Sequence, residues 1–453
     1  MAVCALVSAR VRDGAVFNPQ WNTHTLQEPQ PEVYYTAAIQ NVGHSSPRTD
    51  INILRAHAVL ALAAIQDGKI RDMHEHLGRY HAIVAMEGLH DEANWPKGMG
   101  VVETEERRRL FWSIYTLDVF TSIVWAGVIR SREYQSSVSY PTEADDDMFD
   151  DTGFASTPAS LGTVNTSLGQ EYTNANNISW MAGRNFVVDL YRVIEHVMMR
   201  FSAQRPRAQR LIWIDEVLQD ESLLSREAVR NSVMQMYADL PQCLKETNPI
   251  TSKPRVDRFG FQAADIIATV QLLRMVLLSA TGASISEKCQ IANEVVNAFI
   301  AIPTAYHHAI SVPLLFHLGV IGQILATTLG EPLDENDYSS IRYVMISMVQ
   351  LLSSLEGLHA SKGASQRLRD QIARIDEYMT SQRRSTTAQQ HGQHLTPLHS
   401  TAQQRLRKPM QETSPYSAFG PSAIDETLAL SPFQLPAELL GDFTQIFDFA
   451  QLS

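Results

Sequence analysis

The sequence predicts an all-α fold of stacked antiparallel helices, and three observations carry that prediction. Apolar residues recur at helical spacing from about Asp50 to Thr380, while strand-like alternation is nearly absent. The chain has 453 residues, of which 44% are hydrophobic and 19% charged, enough for a large core. Helices of this length without strands bury their apolar faces against one another.

Taken in order, the first residues, "AVCALVSARVRDGA", look like the interior of an early helix. Asp50 is placed to cap a helix whose inner stripe reads Ile51, Leu54, Ala58, Leu62 and Ile65, and Gly68 follows as a stop. The next segment puts Ile70, Met73, Leu77, Val84 and Leu89 broadly on one side. A third helix, from about Glu103 to Val124, turns Leu110, Ile114, Leu117 and Val124 inward, and Glu103 with Arg107 and Glu105 with Arg109 are spaced as exposed ion pairs.

From Pro141 to about Ser179 the pattern breaks into Asp, Ser, Thr, Asn and Gly, which predicts a long acidic and polar loop, an insertion over 141–183. Helices resume at roughly Arg184–Phe201, Ser222–Ala238, Phe259–Ser279, Ser286–Ala301, Leu314–Leu329 and Glu335–Leu358. Residues 1–380 thus read as one helical domain. Residues 381–434, rich in Gln, Ser, Thr and Pro, read as a disordered linker, and 435–453 as a separate acidic-aromatic segment.

A formal net charge of −12 argues against a general basic surface for nucleic acid. Cys4, Cys243 and Cys289 lie far apart, which suits a reducing compartment and leaves no multi-cysteine metal site. No uninterrupted apolar run approaches the ~20 residues of a membrane helix, and no basic stretch precedes the short apolar start. The expectation is a soluble intracellular protein with no membrane partner.

One stretch suggests chemistry. "YPTEADDDMFDD" contains DDxxD as Asp146, Asp147 and Asp150, a pattern that can hold magnesium against a diphosphate in class I terpene synthases. Asn336, Asp337 and Ser340 match three positions of that family's second metal motif, but Val344 stands where a carboxylate is needed. The first motif lies between Pro141 and Gly153, with no rigid helix to fix its oxygens at metal distance, so solvated loop carboxylates are the expectation.

Other catalytic patterns each miss one residue: Gly78 in "HEHLG", Glu103 in "GMGVVE" and Ser286 in "GASIS". His74, His76 and His81 are spaced so as not to converge on one helix face, and they read as surface or core-edge histidines. His307, His308 and His317 read the same way.

The ordered set "HLGRYHAIVAMEGLHDE", "ETEERRRLFWSIYTLDVFTSIVWAG" and "SYPTEADDDMF" resembles the middle homology region of fungal zinc-cluster transcription factors. The resemblance rests on Gly88-Leu89-His90, Glu106 with Arg107, Arg108 and Arg109, Phe111-Trp112, Leu117-Asp118, and the acidic loop from Pro141 to Asp147. It implies a helical regulatory domain in which the acidic stretch is a loop after a helix pair. An inward arginine pairing with a carboxylate, with Asp118 the candidate, would lock neighbouring helices. The sequence departs from the family at Gly127-Val128-Ile129-Arg130, where Gly-Arg-Pro is common.

The family's six-cysteine, two-zinc DNA-binding module has no counterpart here, since CxxC does not occur. No cofactor is therefore expected in this chain, and zinc only with an upstream cysteine cluster. DNA would be reached only through that module. The tail presents Leu439, Phe443, Ile446, Phe447 and Phe449 among Glu438, Asp442 and Asp448, as an activation segment offers anchors to a co-activator groove, though a terminal helix docking back on the domain fits the same residues. Arg383-Arg384 and Arg405 to Lys408 form a weak bipartite nuclear signal.

These features lead to a non-enzymatic nuclear regulator, a pathway-level activator of a metabolic or secondary-metabolite gene set. Its expected partners are co-activator machinery and a homologous regulator or a second copy. Two alternatives stay open: a modulator that lacks DNA binding, and a magnesium-dependent helical enzyme acting on a prenyl diphosphate.

Overall fold

A computed structural model describes residues 1–15, 22–26, 28–43, 50–125, 128–154, 178–203, 226–251, 253–279, 284–330, 333–356 and 363–393, with Leu435 and Leu440 of the tail. The helices are α1 (Ala2–Arg12), α2 (Thr23–Leu26), α3 (Pro31–Gly43), α4 (Ile51–Gln66), α5 (Ile70–Met86), α6 (Val101–Val124) and α7 (Trp180–Ala203). There follow α8 (Arg226–Asp239), α9 (Pro254–Ser279), α10 (Ile285–Ile300), α11 (Thr304–Ile310), α12 (Val312–Leu329), α13 (Glu335–Ser354) and α14 (Ala364–Gln393). The only strands among the described residues are β1 (Phe149–Asp150) and β2 (Gly153–Phe154), a small antiparallel hairpin. The fold is all-α, as its periodicity predicts.

The α4–α5 hairpin shows how local sequence sets the path. The Asp50 carboxylate accepts the Asn52 N–H at 2.8 Å and starts α4. Gly68, at φ +71°, turns the chain after Gln66, and the Lys69 N–H closes on the Ala64 carbonyl at 2.8 Å. Ile51, Leu54, Ala58 and Ile65 are buried as expected, but so are Ile53, His57, Leu60 and Ala61, while Leu62 is only half-buried. α4 is wrapped by α1, α3, α5, α6 and α12, so one stripe does not describe it.

The centre is α12, which touches α4, α6, α9, α10, α11 and α13. Leu314, Leu315, Leu318, Ile321, Leu325 and Leu329 are completely buried, as a helix apolar all round must be. α9 is long and apolar enough to cross a membrane by length and composition, yet 72% of its apolar window is buried among its neighbours. It is a core helix.

α13 and α14 close the domain. Asp334 and Asp337 form a reciprocal capping box at the start of α13, which explains Asp337 without a metal. Leu368, Ile372, Ile375 and Met379 lie buried on one side of α14. Cross-links from Arg369 to Ser353, Asp376 to Arg342 and Arg383 to Glu335 ascend α14 while descending α13, so the pair is antiparallel.

Three features differ from expectation. α14 continues past Thr380 to Gln393, so the first part of the expected linker is helix. Residues 141–154 of the expected polar insertion hold a 3-10 turn and the hairpin, and α7 already starts at Trp180. In α6 Ile114 is buried as expected, but Leu110, Leu117 and Val124 are only half-buried, whereas Phe111, Tyr115, Asp118 and Ser122 are buried, so the inward face is rotated and wider. α6 packs on α4, α7 and α12 at once, and the side carrying its polar residues is covered as well.

Candidate functional site

α6 opens at Gly100, and its charged block, Glu103 to Arg109, spans nearly two turns, so its side chains leave in every direction. Arg107, 6% exposed, is held by Glu103 one turn back at 2.7 and 3.0 Å. Arg108 grips both oxygens of Glu92 at 2.8 and 2.9 Å and touches Glu105 at 3.0 Å. Glu105, buried, accepts the N–H and the hydroxyl of Thr142, both at 2.8 Å. Arg109 reaches Asp146 and lies over the rings of Phe149 and Trp180. Glu106 pairs with Arg55 on α4.

Glu103–Arg107 forms as the spacing suggests, whereas Glu105 pairs with Arg108 and not with Arg109. Hydrogen bonds from Arg108 hold the Glu92 carboxyl below its usual range, against the opposing pull of burial and with help from the Ser139 N–H.

Asp118 is fully buried, with no exposed surface. Arg107 is inward, but it is not the partner of Asp118. That role falls to Arg130, which donates its backbone N–H and a guanidinium N–H, each at 2.5 Å. Ser131 adds a third donor at 3.3 Å, and His81 Nε2 stands 3.7 Å away. Arg130 in turn meets His74 Nδ1 at 2.8 Å. His74 and His81, seven residues apart on α5, therefore do share a face and converge on this pair, while His76 turns inward to His57 and Tyr35. Burial lowers the pKa of both His74 and His81, Arg130 adding to that and Asp118 opposing it.

One turn before Asp118, the Tyr115 hydroxyl donates to fully buried Glu195 of α7 at 2.6 Å. Glu195 also accepts the Glu133 N–H at 3.3 Å and faces Arg132 at 3.7 Å. Burial, then the Glu195 carboxylate, raises the pKa of Tyr115, so this hydroxyl keeps its proton. Glu133 holds Arg192, and Arg192 and Asp189 both bind the Tyr140 hydroxyl.

Trp112 completes the set. Its indole N–H donates to the Ser139 carbonyl at 3.0 Å, and its ring meets Phe111, Tyr115 and Tyr140 edge to face. The segment from Arg130 to Phe154 is thus stitched to α6 and α7 along its length. Its acidic residues have separate duties: Asp145 binds the Ser179 hydroxyl, Asp146 binds Arg109, and Asp150 closes on Thr152. The DDxxD oxygens do not converge, and no group of three or more metal-ligating side chains occurs among the described residues. Asn336 and Ser340 likewise meet only each other, hydroxyl to carbonyl.

The remaining sequence candidates separate. His307, His308 and His317 each meet a different backbone carbonyl, of Phe299, Gly14 and Pro313. Arg383 of the basic pair is engaged by Glu335. Arg405 to Lys408, and the tail anchors Leu439, Phe443, Ile446, Phe447 and Phe449, lie outside the described residues.

Sequence reasoning placed Arg107, Arg108, Arg109, Trp112 and Asp118 in one region and missed Glu92, Arg130, Tyr115 and Glu195. For Glu195 a signal exists, a lone acid between the apolar Ile194 and Val197 of a helical stripe. Glu105 and Asp118 are matched by arginine, hydroxyl or backbone donors, and Glu195 by the Tyr115 hydroxyl at one oxygen while its Oε1 faces Arg132 at 3.7 Å without a hydrogen bond, an arrangement that suits holding a loop against helices.

Residues 20–237 match the family model described as fungal specific transcription factor domain. No curated protein and no solved structure matches the chain.

Proposed function

We propose, from the match of residues 20–237 to a fungal specific transcription factor domain, that this chain is a non-enzymatic nuclear activator of a metabolic gene set, a secondary-metabolite cluster among the candidate targets. The helical body is the regulatory part, and the acidic-aromatic tail the part that meets co-activator machinery. The observation that carries the reading is the family match over the region where the charged network fastens the acidic loop to α6 and α7. A further support is the tail's composition: Phe443, Ile446, Phe447 and Phe449 interleaved with Asp442 and Asp448. DNA would be reached through a zinc-cluster module joined to this chain or carried by a homologous partner or second copy.

The test is a reporter. Residues 436–453 fused to an unrelated DNA-binding domain should activate it, and Phe443→Ala with Phe447→Ala should remove most of that activity, since burying a Phe contributes ~2 kcal/mol or more. Asp442→Asn should weaken it less. A silent fusion would refute the activation segment.

A further inference from the structure

The Arg130 guanidinium has two partners, and acid acts on both in the same direction. It donates from Nη2 to His74 Nδ1 at 2.8 Å and from Nη1 to Asp118 Oδ1 at 2.5 Å. Arginine only donates, so His74 accepts through a bare Nδ1 and must be neutral. His81 Nε2 is buried, forms no hydrogen bond and stands 3.7 Å from that same Asp118 oxygen. Protonation takes from His74 the lone pair that holds Arg130, and gives His81 a proton to donate to Asp118. Asp118 Oδ2 keeps the Arg130 and Ser131 N–H groups in either state.

We propose that Asp118 changes its side-chain partner as the pH falls, from Arg130 to His81, and that His74 releases Arg130 in the same step. Arg130 is 26% exposed, so its guanidinium has a path to solvent, while the buried Asp118 charge stays matched throughout. Burial, with Arg130 adding to it, holds both histidines neutral to below their ordinary value of 6.5, so the exchange belongs to the acid side of that value. Among the described residues the neighbouring charges are engaged elsewhere. On α4, Arg55 pairs with Glu106, Asp67 with Arg12 and Lys69, and His57 with His76 of α5. On α5, Glu75 pairs with Arg79, Asp72 acts on Tyr35 and His76, and Tyr80, edge-on to His81, keeps its proton through burial. Arg107 of α6 is held by Glu103, Arg132 faces Glu195, and His317 of α12 meets the Pro313 carbonyl. The exchange leaves the start of the loop on Asp118 by backbone bonds alone. It also turns a cross-linking arginine into a free surface cation, within the residues that match the family model.

The experiment compares unfolding midpoints of the full chain and its variants at pH 7.5 and pH 5.5. Arg130→Met should lower the midpoint by roughly 5 to 10 degrees at pH 7.5, where Asp118 is left unmatched. At pH 5.5 His81 answers Asp118, and the loss should shrink to less than half. In a His81→Gln background Arg130→Met should cost as much at pH 5.5 as at pH 7.5. An equal loss at both pH values with His81 present overturns the exchange. So does a loss that shrinks equally in His81→Gln, because Asp118 is then taking up the proton itself. The parent is read through Trp125, whose ring meets His74 edge to face at 6.2 Å, where an imidazolium quenches indole emission. The emission owed to Trp125, taken as the difference from Trp125→Phe, should fall from pH 7.5 to pH 5.5 and stay level in His74→Gln. A level emission in the parent overturns the release of Arg130 by His74.

Discussion

α12 and α6 are both buried, and they are buried in opposite ways. α12 presents leucine and isoleucine on every side and needs only shape to fit. α6 carries Glu105, Arg107 and Asp118 into the interior, where each charge must be matched or it destabilises the domain. The first arrangement tolerates a slightly altered neighbour, since apolar contact has no direction. The second does not, because hydrogen bonds do, and this fixes where Arg130, Thr142 and Glu92 must lie. The charged helix contributes position where the apolar helix contributes stability.

The largest effect expected from this contrast is at Asp118. Asp118→Asn keeps the shape but removes the charge facing Arg130, and should cost about 3–5 kcal/mol in urea unfolding. A loss below ~1 kcal/mol would mean that the pair is solvated and the contrast false. Leu318→Ala in α12 comes next, at about 3 kcal/mol, from lost burial and the cavity left behind. It should leave the loop at 130–154 as resistant to proteolysis as in the parent, while Asp118→Asn should expose it.

Acid should act next. His57 Nδ1 lies 3.3 Å from His76 Nδ1, and burial, then His76 and Arg79, pushes the His57 pKa down to about 4 from 6.5, with Glu75 opposing. The unfolded chain therefore takes up the proton first. Stability from this site is complete above pH 6.5, falls as the pH drops, and stops falling near pH 4. A thermal midpoint that falls less steeply between pH 7 and pH 4.5 in His57→Phe than in the parent would locate that loss here, the remaining slope belonging to His74, His81 and His317, whose pKa burial also lowers. The smallest effect belongs to Asp146→Ala with Asp147→Ala. Asp146 is 60% exposed despite Arg109, so the change should stay below about 0.5 kcal/mol and be insensitive to magnesium. A magnesium-dependent rise in the parent's midpoint, absent from the double variant, would restore a metal role to this loop.

Much of the fold was legible before any coordinates. The Asp50 cap, the Gly68 turn and helices α9, α10, α12 and α13 follow from periodicity and terminal chemistry, which act within one or two turns, whereas the short α11 was not legible there. The site was legible only in part. Arg107, Arg108 and Arg109 stand out as a run, yet which carboxylate each one takes is decided by residues 16 to 37 positions away or one turn back. His74 and His81 follow helical arithmetic, but their common target, Asp118 with Arg130, lies on two other segments.

The sequence by itself determined that the chain is helical, where most helices begin and end, and which region carries the family resemblance, because helix formation and capping are local. Only the tertiary structure decided which face of α6 turns inward, and that Arg130 and not an α6 arginine answers Asp118. Each of those choices depends on several helices closing on one place, and desolvation there penalises every arrangement that leaves a charge unmatched or an apolar seat empty.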